Sequence, residues 1–185
     1  RFHQGAEVLP FAPSEYDERL KGLRQIMADK GVAAAVFTSM HNIAYYSGFL
    51  YCAFGRPYAL VVTATENVTI SAGIDAAQPW RRCHGDNITY TDWERDNYWR
   101  AILSVTGSGA VSGMEGDHLT LVQSQKLEAF LAPSRIVDIA PATMVQRMKK
   151  SQAELDLIRH GAGVADVGGY AIHEAAMAGV REIDV

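Results

Sequence analysis

Apolar and polar positions alternate along this chain in two periods, and the switch between them sets out a run of strands and helices. Pro13 and Ser14 open a first helix, with Ser14 as N-cap and Asp17 in its first turn. Tyr16, Leu20, Leu23 and Met27 recur there at helical spacing, so one face is apolar and docks on something, and Gly31 ends the helix. Val32–Thr38 (VAAAVFT) is a continuous apolar run that fits a strand buried on both faces. A short helix over Ser39–Tyr46 follows.

Tyr58–Thr63 and Asn67–Ser71 read as two strands of a hairpin around a short polar turn. Further along, Gly73–Arg82 reads as helix, Ile88–Thr91 as strand, Asn97–Val105 as amphipathic helix and Ala110–Met114 as strand. Leu119–Leu131 reads as a helix with Leu119, Val122, Leu127 and Phe130 toward the core. Arg135–Ile139 is the last strand, and Pro141 starts a helix running to Lys150. This alternation predicts an α/β domain built on a mixed β-sheet flanked by helices.

The pattern breaks at Lys149-Lys150-Ser151. Ser151 with Glu154 forms a capping-box signature, and a long helix is expected from there through Met177–Gly179. Gly161, Gly163, Gly168 and Gly169 interrupt that helix, each costing about 1 kcal/mol relative to alanine. Such a cost points to close helix contacts with another element. The expected domains are therefore 1–150 and 151–185, the second being the start of something longer. The chain begins at Arg1 and stops at Val185 after a helical run, so both ends read as cut.

Composition narrows the function classes. The formal charge is −4 over 185 residues, against the clustered positive excess that a phosphate backbone requires, so no nucleic-acid surface is expected. No apolar run reaches the roughly 18–20 residues of a membrane span. Cys52 and Cys83 are the two cysteines and form no CxxC pair; two buried reduced thiols in a cytoplasmic protein is the simpler expectation. Asn67-Val-Thr69 and Asn87-Ile-Thr89 match the glycosylation sequon by coincidence on the same reading.

Candidate chemistry is thin outside one segment. The six histidines form no HxH, HExxH or CxxC…H array, and no GxSxG elbow is present. Glu115, Asp117 and His118 cluster between a strand and a helix, where Asp117 is more simply an N-cap than a metal ligand. Cys83 and His84 adjoin, but adjacent residues seldom point together. HGAGVADVGG fails as a dinucleotide fingerprint, because Asp166 stands where the third glycine belongs and no strand precedes it. Trp80-Arg81-Arg82 and the block Asp92–Tyr98 have the composition of an interface, or equally of a surface with intramolecular ion pairs.

The exception is His41–Tyr58, HNIAYYSGFLYCAFGRPY. Six rings (Tyr45, Tyr46, Phe49, Tyr51, Phe54, Tyr58) accompany a single charged side chain, Arg56, which stands between Gly55 and Pro57. An anchored guanidinium beside an apolar wall suits a carboxylate ligand; the alternative is a hydrophobic loop under a surface arginine.

The blocks HNIAYYSGFLYCAFGRPYALVVT, IDAAQPWRR, NITYTDWERDNYW and EGDHLTL resemble the creatinases, and KKSQAELDLIRHGAGVADVGG resembles the passage from the first to the second domain of those enzymes. The layout is similar, more distantly, to aminopeptidase P and prolidase. The resemblance implies a creatinase-type N-terminal domain followed by the first helix of an α+β "pita-bread" catalytic domain. It also implies a homodimer that hydrolyses creatine to sarcosine and urea without a metal or other cofactor, with a related guanidino acid as the other possible substrate. Phe54 and Arg56 match the two residues that reach into the partner subunit's active site, where the arginine binds the substrate carboxylate. The catalytic histidine and the carboxylates that hold the guanidinium fall beyond Val185, so no catalytic residue is assigned in this chain and the piece alone is expected to be inactive. Two other readings stay open: the N-terminal domain of a metal-dependent Xaa-Pro aminopeptidase or dipeptidase, and a non-enzymatic binding module of the same fold.

Overall fold

The structure is a computed structural model that describes residues 1–3, 9–50, 55–75 and 79–184; of Trp80 and Trp93 it describes the backbone alone. The described residues separate into two compact units, Arg1–Gln146 and Arg147–Val185.

The first unit is built on a six-stranded mixed sheet in the order β4-β3-β2-β1-β5-β6. Its strands are β1 (Ala34–Phe37), β2 (Ala59–Thr63), β3 (Asn67–Ala72), β4 (Asp86–Tyr90), β5 (Val111–Met114) and β6 (Arg135–Asp138). β1, β2 and β3 pair antiparallel in turn, with Val36 opposite Val61 and Leu60 opposite Thr69. The remaining pairs, β3 with β4, β1 with β5 and β5 with β6, are parallel. The predicted hairpin is β2–β3, closed where the Thr63 N–H donates to the Glu66 carbonyl at 2.9 Å.

All four residues of β1 are buried, as the unbroken apolar run requires. Its side chains alternate between two cores. Ala35 and Phe37 face one cluster with Leu20, Leu23 and Met27 of α1 (Pro13–Lys30) and Ile43 and Tyr46 of α2 (Met40–Ser47). Val36 faces the other with Tyr98, Trp99 and Ile102 of α3 (Asn97–Thr106) and Leu127 and Leu131 of α4 (Leu121–Leu131). Helices thus cover both sides of the sheet, and the expected mixed α/β architecture is borne out.

Several local expectations shift. α1 begins one residue before Ser14: Pro13 takes the first helical position, so Ala12 is the N-cap, without a side-chain hydrogen bond. Gly31 ends the helix at φ 64°, the left-handed conformation in which glycine lacks the steric penalty of other residues. Gly73–Arg82 is not one helix; the described parts are two 3₁₀ turns, Gly73–Asp75 and Pro79–Arg81. Thr120, not Asp117, caps α4, in a reciprocal capping box with Gln123. Val122 is therefore in the exposed first turn, 65% accessible, while Leu131 joins Leu127 in the core. β6 is followed by α5 (Ala140–Met148), whose first amide donates to Asp138 Oδ1 at 2.9 Å.

The second unit carries α6 (Gln152–Ala175), and its capping box is the one read from Ser151 and Glu154. Apart from the neighbouring backbone of the helix itself, no described atom lies within 4 Å of a β-carbon built on Gly161, Gly163, Gly168 or Gly169. No described helix is long and apolar enough to cross a membrane.

Candidate functional site

Arg56 sits where the chain enters the sheet, three residues before β2. It is half-buried and opens onto a cleft of about 210 Å³ lined also by Ala72, Gly73, Ile74, Tyr90, Thr91 and Asp92. β2 and β4 flank β3 in the sheet, so the end of β3 forms the floor and the last residue of β4 a wall. Phe54, the other expected contact residue, lies outside the described residues, as do Tyr51 and Cys52.

Three tyrosine hydroxyls hold the backbone and side chains just after Arg56. Tyr90 donates to the Pro57 carbonyl at 2.8 Å and Tyr98 to the Tyr58 carbonyl at 3.1 Å. The Tyr58 hydroxyl in turn donates to the Asp75 carboxylate. Burial pushes the Tyr90 phenol up to about 12; Arg56 opposes that shift and Asp75 reinforces it. The hydroxyl therefore remains a donor well above neutral pH. Asp92 on the opposite side pairs with Arg95 at 2.8 Å. A guanidinium in a small cleft lined by Tyr90 and Ile74 is suited to hold a small carboxylate.

The described rings Tyr46, Phe49 and Tyr58 of the His41–Tyr58 segment pack into the core. Tyr46 is fully buried against Phe37, ring centroids 5.0 Å apart, and Phe49 lies 6.1 Å from Tyr58. Arg19 of α1 is enclosed by rings: its Cζ lies 4.4 Å from the Tyr45 centroid, 4.5 Å from Phe11 and 5.3 Å from Tyr16. It also donates to the Tyr45 carbonyl at 2.9 Å and to Glu15 at 3.1 Å. Its ring contacts are drawn from three separate segments, so no local pattern marks it.

Glu115 is the other residue whose role only the structure gives. Buried at 2% exposure, it accepts from the Thr38 and Ser39 amides at 2.6 and 2.9 Å through Oε2. Through Oε1 it accepts from the Asn42 amide at 2.6 Å and from the Ser39 hydroxyl. The EGDH cluster thus ties the end of β5 to the start of α2, whose positive dipole end faces this carboxylate. His118 meets the Thr38 hydroxyl at 2.9 Å. Among the described residues no three His, Cys, Asp or Glu side chains are grouped to hold a metal ion.

Cys83 and His84 diverge. Cys83 is buried near the Gly85 carbonyl at 3.5 Å, whereas His84 reaches Asp17 at 2.8 Å. Both sequon asparagines bond within the fold: Asn87 is fully buried against Thr69 and Ser71, and Asn67 donates to the His84 carbonyl. Within the Asp92–Tyr98 block, Asp92 pairs with Arg95 and Asp96 with Lys126 at 2.9 Å, and Tyr98 is core.

The Creatinase/Prolidase N-terminal domain family matches residues 19–149. The chain is 47% identical to the creatinase of Bacillus sp. (strain B-0618), across 98% of this chain and 45% of that protein. Among solved structures, the prolidase of Pyrococcus horikoshii OT3 has a TM-score of 0.75 at 16% identity, over 89% of this chain and 45% of that one. The Creatinase/Prolidase N-terminal domain of an X-Pro dipeptidase from Streptococcus pyogenes has a TM-score of 0.61 at 22% identity, over 69% and 97%. At those identities the structural likenesses show the fold alone. The chain spans about half the length of the curated relatives it matches. With most of the first unit covered by the family match and nearly half of all residues shared with a creatinase, the chain belongs to the creatinase/prolidase N-terminal domain family.

Proposed function

We propose that this chain is the N-terminal part of a creatinase, an enzyme that hydrolyses creatine to sarcosine and urea. Residues 1–150 are its first domain and residues 151–185 the start of its catalytic domain. Arg56 binds the substrate carboxylate, Phe54 supplies an apolar wall, and both act at the active site of the partner subunit in a homodimer. The observation that carries the reading is the 47% identity to a creatinase along 98% of this chain. The prolidases share the fold but much less of the sequence.

The chemistry fits the residues. Creatine is a carboxylate at one end and a guanidinium at the other. A guanidinium fork in a restricted cleft orients the first end, which lowers the cost of bringing the second into reaction geometry. Acid–base groups and carboxylates for the guanidinium belong to the remainder of the protein.

The test is urea release from creatine by the full-length protein, run beside hydrolysis of an Xaa-Pro dipeptide. Dipeptide cleavage without urea release assigns the chain to a peptidase. A folded protein that neither hydrolyses nor binds creatine leaves the reading without support. The division of labour carries its own expectation: the 1–185 chain, assayed alone for urea release, shows no turnover.

A further inference from the structure

We infer that Tyr90 is a positioning residue for Arg56, fixing the guanidinium in the orientation that accepts a carboxylate. The inference rests on the creatinase reading and adds a residue from a different strand to its substrate site.

Tyr90 touches the site twice. Its hydroxyl donates to the carbonyl of Pro57, the residue bonded to Arg56, at 2.8 Å. Tyr90 also lines the same cleft as Arg56. Proline has no N–H, so this carbonyl is the only backbone hydrogen-bonding group Pro57 offers. On the other side of Arg56, Gly55 adopts φ 74°, and a β-carbon there would meet nothing within 4 Å. Arg56 thus lies between a roomy glycine and a carbonyl held by Tyr90.

The next carbonyl, of Tyr58, is held separately by Tyr98 at 3.1 Å, and the Tyr58 side chain is held by Asp75. Loss of the Tyr90 hydroxyl therefore leaves β2 anchored and frees the stretch immediately around Arg56. Tyr90 is 5% exposed, and its ring packs edge-on against Tyr98 at 5.7 Å, so phenylalanine can keep the wall. Burial raises its phenol pKa, so the donor proton stays in place well above neutral pH.

The experiment uses full-length dimeric protein carrying Tyr90→Phe, Arg56→Ala, or both. Tyr90→Phe is expected to raise KM for creatine about fivefold with kcat little changed, as for loss of one hydrogen bond that supports binding in ground and transition states alike. Inhibition by methylguanidine, which lacks the carboxylate, should stay within about twofold. In the Arg56→Ala background the added Tyr90→Phe change should cost less than about twofold. Equal weakening toward creatine and methylguanidine, or a full fivefold cost without Arg56, shows a general structural role and overturns the inference. A Tyr90→Phe protein with unchanged KM overturns it too, even where thermal stability falls. Wild-type protein that leaves creatine intact overturns the substrate reading and this inference together, whereas a creatine-hydrolysing enzyme indifferent to Tyr90→Phe sinks the inference alone.

Discussion

Replacing Glu115 by alanine should destabilise the protein by about 4 kcal/mol or more, a large part of a typical domain's stability. The carboxylate is buried and satisfies two backbone amides, Thr38 and Ser39, together with the Asn42 amide and the Ser39 hydroxyl. Each buried donor left without a partner costs about 1–3 kcal/mol, and the two backbone amides cannot turn to find water. The Ser39 hydroxyl is the N-cap of α2 and accepts from Asn42, so it is already committed to the helix start. Glu115→Gln should cost less but still about 2 kcal/mol, because one of its two terminal atoms becomes a donor facing donors. Chemical unfolding of the two variants checks this. Midpoints equal to wild type for Glu115→Gln would show that the carboxylate is not what joins β5 to α2.

Arg56→Ala is the second large effect, on catalysis instead of stability. In the full-length enzyme it should lower kcat/KM for creatine at least about tenfold, about 1.4 kcal/mol. Arg56 lies on the rim of a cleft and outside both hydrophobic cores, so truncation removes a cation without opening a core cavity. Arg56→Lys should recover only part of the loss, since an ammonium keeps the charge but not the two-pronged geometry that matches a carboxylate. Steady-state kinetics of the two variants separate charge from geometry. Wild-type kinetics in Arg56→Ala would mark the arginine as ordinary surface.

Much of the framework was legible because short-range periodicity carries it. β1 is a continuous apolar run, α1 has one apolar face from Tyr16 to Met27, and the α6 capping box reads directly from Ser151 and Glu154. The shifts came where two local signals competed. Asp117 reads as the cap, but Thr120 and Gln123 spell a capping box three residues later, and that box starts the helix. Pro13 fits the first helical turn better than Ser14 fits the cap, because its missing N–H costs nothing there.

The site was legible only in part, for a physical reason. Arg56 stands out in its own segment, but the groups around it arrive from β3, β4 and α3, so their meeting depends on strand order. That order includes a parallel crossover between β3 and β4 that no local pattern specifies. No local pattern marks the hydroxyls of Tyr58, Tyr90 and Tyr98 as partners of Asp75 and of the Pro57 and Tyr58 carbonyls, for the same reason. The aromatic segment also supplies Tyr45 to Arg19 of α1, a contact that nothing in either local sequence marks. Glu115 binds partners more than seventy positions away, which the EGDH motif does not hint at.

The central claim is that this fold and its Arg56 cleft serve creatine. The most direct measurement is urea produced from creatine by the purified full-length protein, with the Xaa-Pro dipeptide assay alongside. Sarcosine and urea should appear in stoichiometric amounts, with no comparable dipeptide cleavage. Cleavage of the dipeptide with creatine left intact would contradict it.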